Sequence, residues 1–162
     1  MSKRVYIGSD HNGNAARNYV LKVLNSIPEI SGVWDMGLES GKVDYPTMAQ
    51  SVCDALTSRL HVSPDAESYG ILICGTGTGM CIAANKQKDI RAGIATDRAT
   101  AELMREHNDC NVLCLGGRVI GPSLAADIIK AYLAAEFTGD DRHKRRLAKI
   151  DGIEREFLRD DL

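Results

Sequence analysis

The feature that most constrains the fold is a regular alternation of short apolar runs with longer segments of helical period. This alternation is typical of an α/β fold in which helices cover both faces of a parallel sheet. The apolar runs predict five strands, at 4–9, 32–36, 69–74, 91–95 and 111–116. The other segments predict helices at 14–26, 46–60, 78–87, 97–107, 122–135 and 140–159, with start signals at Asn12, Pro46, Asp97 and Pro122.

Length and charge narrow the classes of protein. A chain of 162 residues suits a single domain over 1–162, with the last helix part of it, and its core needs no disulfide. With 20 Lys and Arg against 22 Asp and Glu, charge gives no reason to expect nucleic acid or membrane as a partner. The sequence shows neither a signal-peptide core nor 18 consecutive apolar residues, so we expect a soluble, cytoplasmic protein. Segment 61–68 is predicted to be a surface loop.

The five cysteines fit neither a disulfide framework nor a zinc site, because their number is odd and no CxxC pair occurs. Reduced thiols are therefore expected. Four of them lie within apolar helix or strand patterns and are predicted to be structural core residues: Cys53, Cys81, Cys110 and Cys114.

Polar residues follow the first three predicted strands. Asp10 and His11 come after the first, Tyr45 lies near the start of the second helix, and Cys74 ends the third strand. Ligands of open parallel sheets bind beyond the carboxyl ends of the strands. We therefore predict a functional site at this edge of the sheet.

The segment GTGTG (75–79) follows a strand and opens a helix, where glycines let backbone N–H groups approach an anion. It is not a dinucleotide motif, because Met80 stands where GxGxxG has its last glycine, and it lacks the Walker lysine. A plain turn remains the alternative. Beside such a loop, Cys74 can serve as a thiolate base or nucleophile, although a cysteine after an apolar strand, taken alone, is more typical of a buried structural thiol. The other polar residues at the same edge of the sheet favour the thiolate.

Two further features lie in the second half of the chain. His107 ends a predicted helix. It can be interpreted there as a favourable partner of the helix dipole or as an acid–base group. In DRHKRR (141–146), Arg142 and Arg146 are four residues apart and share a helical face, which suits a phosphate. Arg118 is predicted at the same edge of the sheet. The basic run has two other interpretations, a solvated helix face and a nucleic-acid patch, and near-neutral charge argues against the second.

Several motifs together resemble the type B ribose-5-phosphate isomerases and the related galactose-6-phosphate isomerase subunits. They are GSDHNG (8–13), DYP (44–46), ILICGTGTGMCIAANK (71–86), IRAG (90–93), HNDCNVLCLGGRVIG (107–121) and RHKRR (142–146). The resemblance implies a Rossmann-like three-layer sandwich with a five-stranded parallel sheet of order 2-1-3-4-5. It also implies a homodimer or dimer of dimers with active sites shared between subunits, and no metal or other cofactor.

The same resemblance implies roles for individual residues. Cys74 would move a proton between C1 and C2 of the sugar phosphate, and His107 would help to open the sugar ring. The enediolate would be stabilised by Gly75, Thr76, Gly77, Thr78 and Gly79. Asp10, Tyr45 and Asn108 would hold sugar oxygens, and His11, Arg118, Arg142 and Arg146 would surround the phosphate.

The leading hypothesis is thus an isomerase that interconverts ribose 5-phosphate and ribulose 5-phosphate. A hexose 6-phosphate isomerase, for allose or galactose phosphates, is the alternative within the same class. A non-catalytic module that binds a phosphate ligand or nucleotide is a third hypothesis. It explains the glycines and arginines but gives no task to Cys74, His107 and Tyr45.

Overall fold

The computed structural model describes residues 1–37, 41–60 and 66–159. Strands and helices alternate along the chain, and each predicted element is present with ends that differ by a few residues. The strands are β1 (Ser2–Ser9), β2 (Ile30–Asp35), β3 (Ala66–Cys74), β4 (Ala92–Ile94) and β5 (Val112–Gly116). The helices are α1 (Asn14–Leu24), α2 (Tyr45–Leu60), α3 (Thr78–Ala84), α4 (Arg98–Glu106), α5 (Pro122–Ala134) and α6 (Asp141–Arg159).

The strands form one parallel sheet in the order β2-β1-β3-β5-β4. The predicted Rossmann-like α/β class is confirmed, but the predicted order 2-1-3-4-5 is wrong at its last two positions. All five residues of β5 are buried, whereas β4 has three residues and all are half-buried. An inner strand of a parallel sheet is covered on both faces, so the apolar β5 takes the inner position and the short β4 the edge.

Helices cover both faces of the sheet, and alternate strand residues point to opposite faces. On β3, Ile71 and Ile73 pack in the core formed with α1, α4 and α5. Leu72 and Cys74 pack in the second core, formed with α2 and α3. The period of two in the strand therefore decides that the Cys74 side chain faces α2 and α3.

The predicted surface loop at 61–68 is only partly open to comparison, because 61–65 lie outside the described residues. Residues 66–68 are strand, so the prediction is wrong for them. They extend the ladder with β1, where Ala66 pairs with Ser2 and Lys3 with Glu67. The Lys3 Nζ lies 2.9 Å from the Glu67 carboxylate. Charged side chains at the end of a strand interrupt the apolar run from which strands are predicted, so this part of β3 is not predicted from the sequence.

Helix α4 ends, and helix α6 begins, near the amino-terminal edge of the sheet. Asp97 caps α4 by accepting the Thr100 N–H at 2.8 Å, as its predicted start signal requires. The helix then returns toward the start of β5, and the N–H of Thr138, just before α6, donates to the Glu106 carbonyl at 3.1 Å. Within the described ranges, no helix is long and apolar enough to cross a membrane.

Candidate active site

Cys74 ends β3 and is 5% exposed. The Gly77 N–H donates to its Sγ at 3.1 Å. Gly77 adopts φ +84, a left-handed conformation that favours glycine, and a Cβ there would lie 3.1 Å from the Leu115 carbonyl carbon. The turn after β3 therefore places the Gly77 N–H against the thiol, and the left-handed conformation of this turn favours glycine at position 77.

The turn that follows β5 fixes the first part of this loop. The Gly117 N–H donates to the Cys74 carbonyl at 2.8 Å, and the Arg118 N–H donates to the Gly75 carbonyl at 3.0 Å. Because β3 and β5 are neighbours in the sheet, these bonds join two strand ends directly. The position of the cysteine thus depends on the strand order found here.

Asp10 orders the turn after β1. It is 4% exposed, and its Oδ1 accepts the N–H groups of Asn12 at 2.9 Å and Gly13 at 3.0 Å. Asn12 is predicted to begin α1, but Gly13 is the N-cap, and no side chain among the described residues caps the helix there. The Asp10 carboxylate accepts the N–H groups of Asn12 and Gly13 because it lies two residues before Asn12 in a tight turn.

Two side chains frame the glycine loop. The Tyr45 ring lies against Gly79, where an added Cβ would come within 2.8 Å of its Cε2. Arg118 crosses Gly75 and donates from Nη2 to the Asn12 side-chain oxygen at 2.7 Å. His11, Thr76 and Thr78 are exposed on the turns of the same edge. We call this set the Cys74 group: Asp10, His11, Tyr45, Cys74, residues 75–79 and Arg118.

A second group forms around the end of α4. The His107 ring stacks on His143, with centroids 4.3 Å apart and planes 14° apart. Asn108, Arg142 and Arg146 are exposed beside them. We call this set the His107 group: His107, Asn108, Arg142, His143 and Arg146. Sequence reasoning missed His143, although a signal existed, since His143 and Leu147 are four residues apart and form the buried face of a charged helix.

The two groups lie at opposite edges of the sheet. Cys74 pairs with Gly116 at the carboxyl ends of β3 and β5, and Gly70 pairs with Val112 at the start of β5. Four residues of strand span about 13 Å, and His107 lies beyond the start of β5. The prediction that Arg118, Arg142 and Arg146 share an edge is therefore wrong within one chain.

Charged residues hold the loop that carries His107 and Asn108. Asp109 adopts φ 46, in the left-handed region. Its carboxylate lies 2.7 Å from Arg91 Nη2 and 2.8 Å from Arg105 Nη1. Arg105 is buried and also donates to the Cys110 carbonyl at 2.8 Å. Paired charges on both oxygens of one carboxylate fix the turn in which His107 ends α4.

The five cysteines are free thiols. Burial raises the pKa of Cys53 to about 12 and that of Cys110 to about 11. Cys81 on α3 is different, because a hydrogen bond with the Cys114 thiol lowers its pKa to about 7. It is also half-buried, whereas the other four thiols are buried. In the described part of the chain, no group of three or more His, Cys, Asp or Glu could hold a metal ion.

Comparison with known proteins matches residues 5–150 to the sequence model described as Ribose/Galactose Isomerase. The chain belongs to this isomerase family. Ribose-5-phosphate isomerase B of Escherichia coli is 39% identical over 155 residues, which cover 94% of this chain and 97% of the relative. The structure of a Leishmania infantum type B ribose 5-phosphate isomerase is 41% identical, with a TM-score of 0.89 and coverage of 96% and 99%.

The Clostridium thermocellum ribose-5-phosphate isomerase B structure is also similar, at 41% identity and TM-score 0.85, with 95% of this chain and 99% of that chain covered. The suspected resemblance to type B enzymes is therefore confirmed, and so is the predicted class, a sugar-phosphate isomerase. In this isomerase, the Cys74 group lies at the carboxyl edge of the sheet, whereas the His107 group lies at the opposite edge.

Proposed function

We propose that this chain interconverts ribose 5-phosphate and ribulose 5-phosphate, with Cys74 as the base that moves a proton between C1 and C2. The observation that carries the proposal is the Gly77 N–H held 3.1 Å from the Cys74 Sγ in the glycine turn that opens α3. Family membership supports the reaction class, and the names of the relatives above support the pentose phosphate.

The chemistry needs a base and a site for negative charge. The Cys74 thiolate takes the proton on C2 of the open-chain aldose, and the electron pair forms a C1–C2 double bond while O1 becomes negatively charged. The same proton then returns to C1, and the O2 hydroxyl proton passes to O1, which gives the ketose. A thiolate is the reactive form of cysteine, and the Gly77 N–H lies 3.1 Å from the Sγ.

The loop at 75–79 is suited to the charge that develops in this step. Its N–H groups belong to a turn that opens α3, and Gly77 holds them in a left-handed bend. Donors fixed in advance stabilise an enediolate oxygen as it forms, without reorganisation at the moment of reaction. Thr76 and Thr78 are exposed on the same turn and can donate to sugar oxygens. Asp10, Tyr45 and Asn108 are assigned to hold other sugar oxygens.

The phosphate does not react, so its contacts supply binding energy that positions C1 and C2. His11 and Arg118 are exposed beside the Cys74 loop and are assigned to it. Arg142 and Arg146 are also exposed, with Arg142 Nη2 only 3.5 Å from Asp140. Arginine binds phosphate through its planar fork of donors, which makes these side chains suitable partners.

A second copy of the chain is required to join the two groups. About 13 Å of sheet separates Cys74 from the start of β5 within one chain, so its own His107 cannot reach a sugar bound at Cys74. In a two-fold dimer, the His107 group of one protomer can face the Cys74 group of its partner, and two equal sites result. We therefore assign ring opening to His107, acting across the interface between subunits.

Turnover of ribose 5-phosphate by the purified protein, in buffer that contains a chelator, tests the reaction. Cys74→Ala should lower kcat by about a thousandfold or more, while circular dichroism keeps the wild-type spectrum. A parallel assay with allose 6-phosphate and galactose 6-phosphate decides the substrate. Higher kcat/KM on a hexose phosphate would replace the pentose assignment, and near-normal turnover by Cys74→Ala would refute the base.

Mixed dimers test the shared site. Cys74→Ala and His107→Ala are each expected to be almost inactive, but a refolded equal mixture should recover about a quarter of wild-type activity. Half of the dimers are then mixed, and each mixed dimer holds one site with both groups intact. The control is a mixture of Cys74→Ala with a Cys74→Ala, His107→Ala double variant, which should stay inactive. No recovery in the first mixture would contradict a site built from two chains.

A further inference from the structure

His143 is a buried histidine that the reaction above does not use. It is 4% exposed, and its Nε2 is buried without a hydrogen-bond partner among the described residues. A buried polar atom without a partner is costly, so the position is not explained by stability alone. The ring lies face to face with His107, at 4.3 Å and 14°.

The surroundings of His143 keep it uncharged. Burial first, and then the neighbouring His107 and Arg142, lower the pKa of His143, and only Asp140 among its main neighbours opposes them. A neutral imidazole can stack on His107 without charge repulsion, whichever protonation state His107 adopts. Arg142 and Arg146 are exposed and leave the inner face of α6 to His143 and Leu147.

We propose that His143 is the positioning residue of His107, whose ring plane it fixes by stacking against one face. This inference rests on the proposed function, in which His107 acts on the sugar ring. An acid–base group must be held in a narrow range of positions, and a displacement of about 1 Å costs roughly a hundredfold in rate. Without a stacking partner, the His107 ring at the half-buried end of α4 would sample several rotamers.

Three variants test the stack. His143→Ala should lower kcat for ribose 5-phosphate about tenfold while KM changes less than about twofold, because the phosphate contacts stay in place. His143→Phe keeps a flat ring and should recover kcat to within about threefold of wild type, since Nε2 has no hydrogen-bond partner among the described residues. Leu147→Ala removes a buried contact from the same helical face and should lower Tm but not kcat.

A proton NMR measurement gives a readout that does not depend on turnover. The His107 C2–H signal should lie upfield in the wild type and in His143→Phe, because of the ring current of the stacked neighbour, and should move downfield in His143→Ala. An unmoved signal, wild-type kcat in His143→Ala, or no rescue by a folded His143→Phe would overturn the positioning role. Absence of turnover in the wild type would instead reject the proposed function, while the NMR signal still reports the stack.

Discussion

The three glycines of the loop at 75–79 should respond differently to alanine, and Gly77 should be the sensitive one. At Gly77, φ is +84, and an added Cβ would lie 3.1 Å from the Leu115 carbonyl carbon and 3.3 Å from its oxygen. Both atoms belong to the backbone of β5, which is buried and paired on both sides. The strand cannot move aside, so the strain stays in the loop.

The size of the effect follows from two contributions. An L-residue in the left-handed region costs roughly 1–2 kcal/mol, and the tight backbone contact adds about 1–2 kcal/mol. Alanine also restricts the unfolded chain, which offsets about 0.5 kcal/mol. The free energy of unfolding should therefore fall by about 1.5–3.5 kcal/mol, and Tm should fall by roughly 3–14 °C in a chain of this length.

Differential scanning calorimetry and steady-state kinetics separate stability from function. Gly77→Ala should lower Tm as stated and kcat by at least about tenfold, because the N–H that donates to Cys74 Sγ belongs to the altered residue. Gly75→Ala is the control, since the three atoms nearest to its Cβ would belong to the flexible Arg118 side chain, at 3.6 Å or more. Its Tm should stay within about 2 °C of wild type.

Gly79→Ala completes the series. Alanine is preferred over glycine in a helix by about 1 kcal/mol, so Tm should hold or rise. The added Cβ would come within 2.8 Å of the Tyr45 ring, which must move and should raise KM. An equal loss of Tm in Gly75→Ala and Gly77→Ala would refute the reasoning, as would an unchanged Tm in Gly77→Ala.

Two further predictions concern the His107 loop and the thiols. Arg105→Met should lower the free energy of unfolding by about 3 kcal/mol in urea titrations, because the buried guanidinium pairs with Asp109 at 2.8 Å. The control is Arg98→Met, which should have little effect because Arg98 is exposed. Equal losses in the two variants would contradict a special role of Arg105. Iodoacetamide at about pH 8 should label Cys81 before Cys53, since a hydrogen bond with Cys114 lowers the pKa of Cys81 to about 7 and burial raises that of Cys53 to about 12. The rate at which Cys81 is labelled, followed by mass spectrometry, should decrease when the pH is lowered below about 7, because Cys81 becomes protonated there. Earlier labelling of Cys53 would contradict the assignment.

Much of the Cys74 group could be predicted from the sequence because each of its members follows a strand. Asp10 and Cys74 come directly after or at the end of β1 and β3, which are parallel neighbours. Parallel strands place their carboxyl ends at one edge, so order along the chain is enough to bring these residues together. Tyr45 was predicted at the same edge, and its ring does lie against Gly79.

The His107 group shows where such reasoning stops. The predicted grouping of Arg118 with Arg142 and Arg146 assumed that basic residues after β5 remain at the carboxyl edge. Helix α5 instead carries the chain back, and α6 begins beside Glu106 at the far edge. The direction in which the last helices return is a property of packing, and no motif within 141–146 encodes it.

The sequence by itself determined the α/β class, the elements and the family, because periodicity and motif spacing depend on residues that are near one another along the chain. Only the tertiary structure decided that β5 is an inner strand and β4 an edge strand, that Cys74 and His107 lie at opposite edges of the sheet, and that His143 stacks on His107. These facts depend on which buried surfaces meet across long separations in the chain. Burial of the whole of β5 settles the first, and the return of α4 to the amino-terminal edge settles the others.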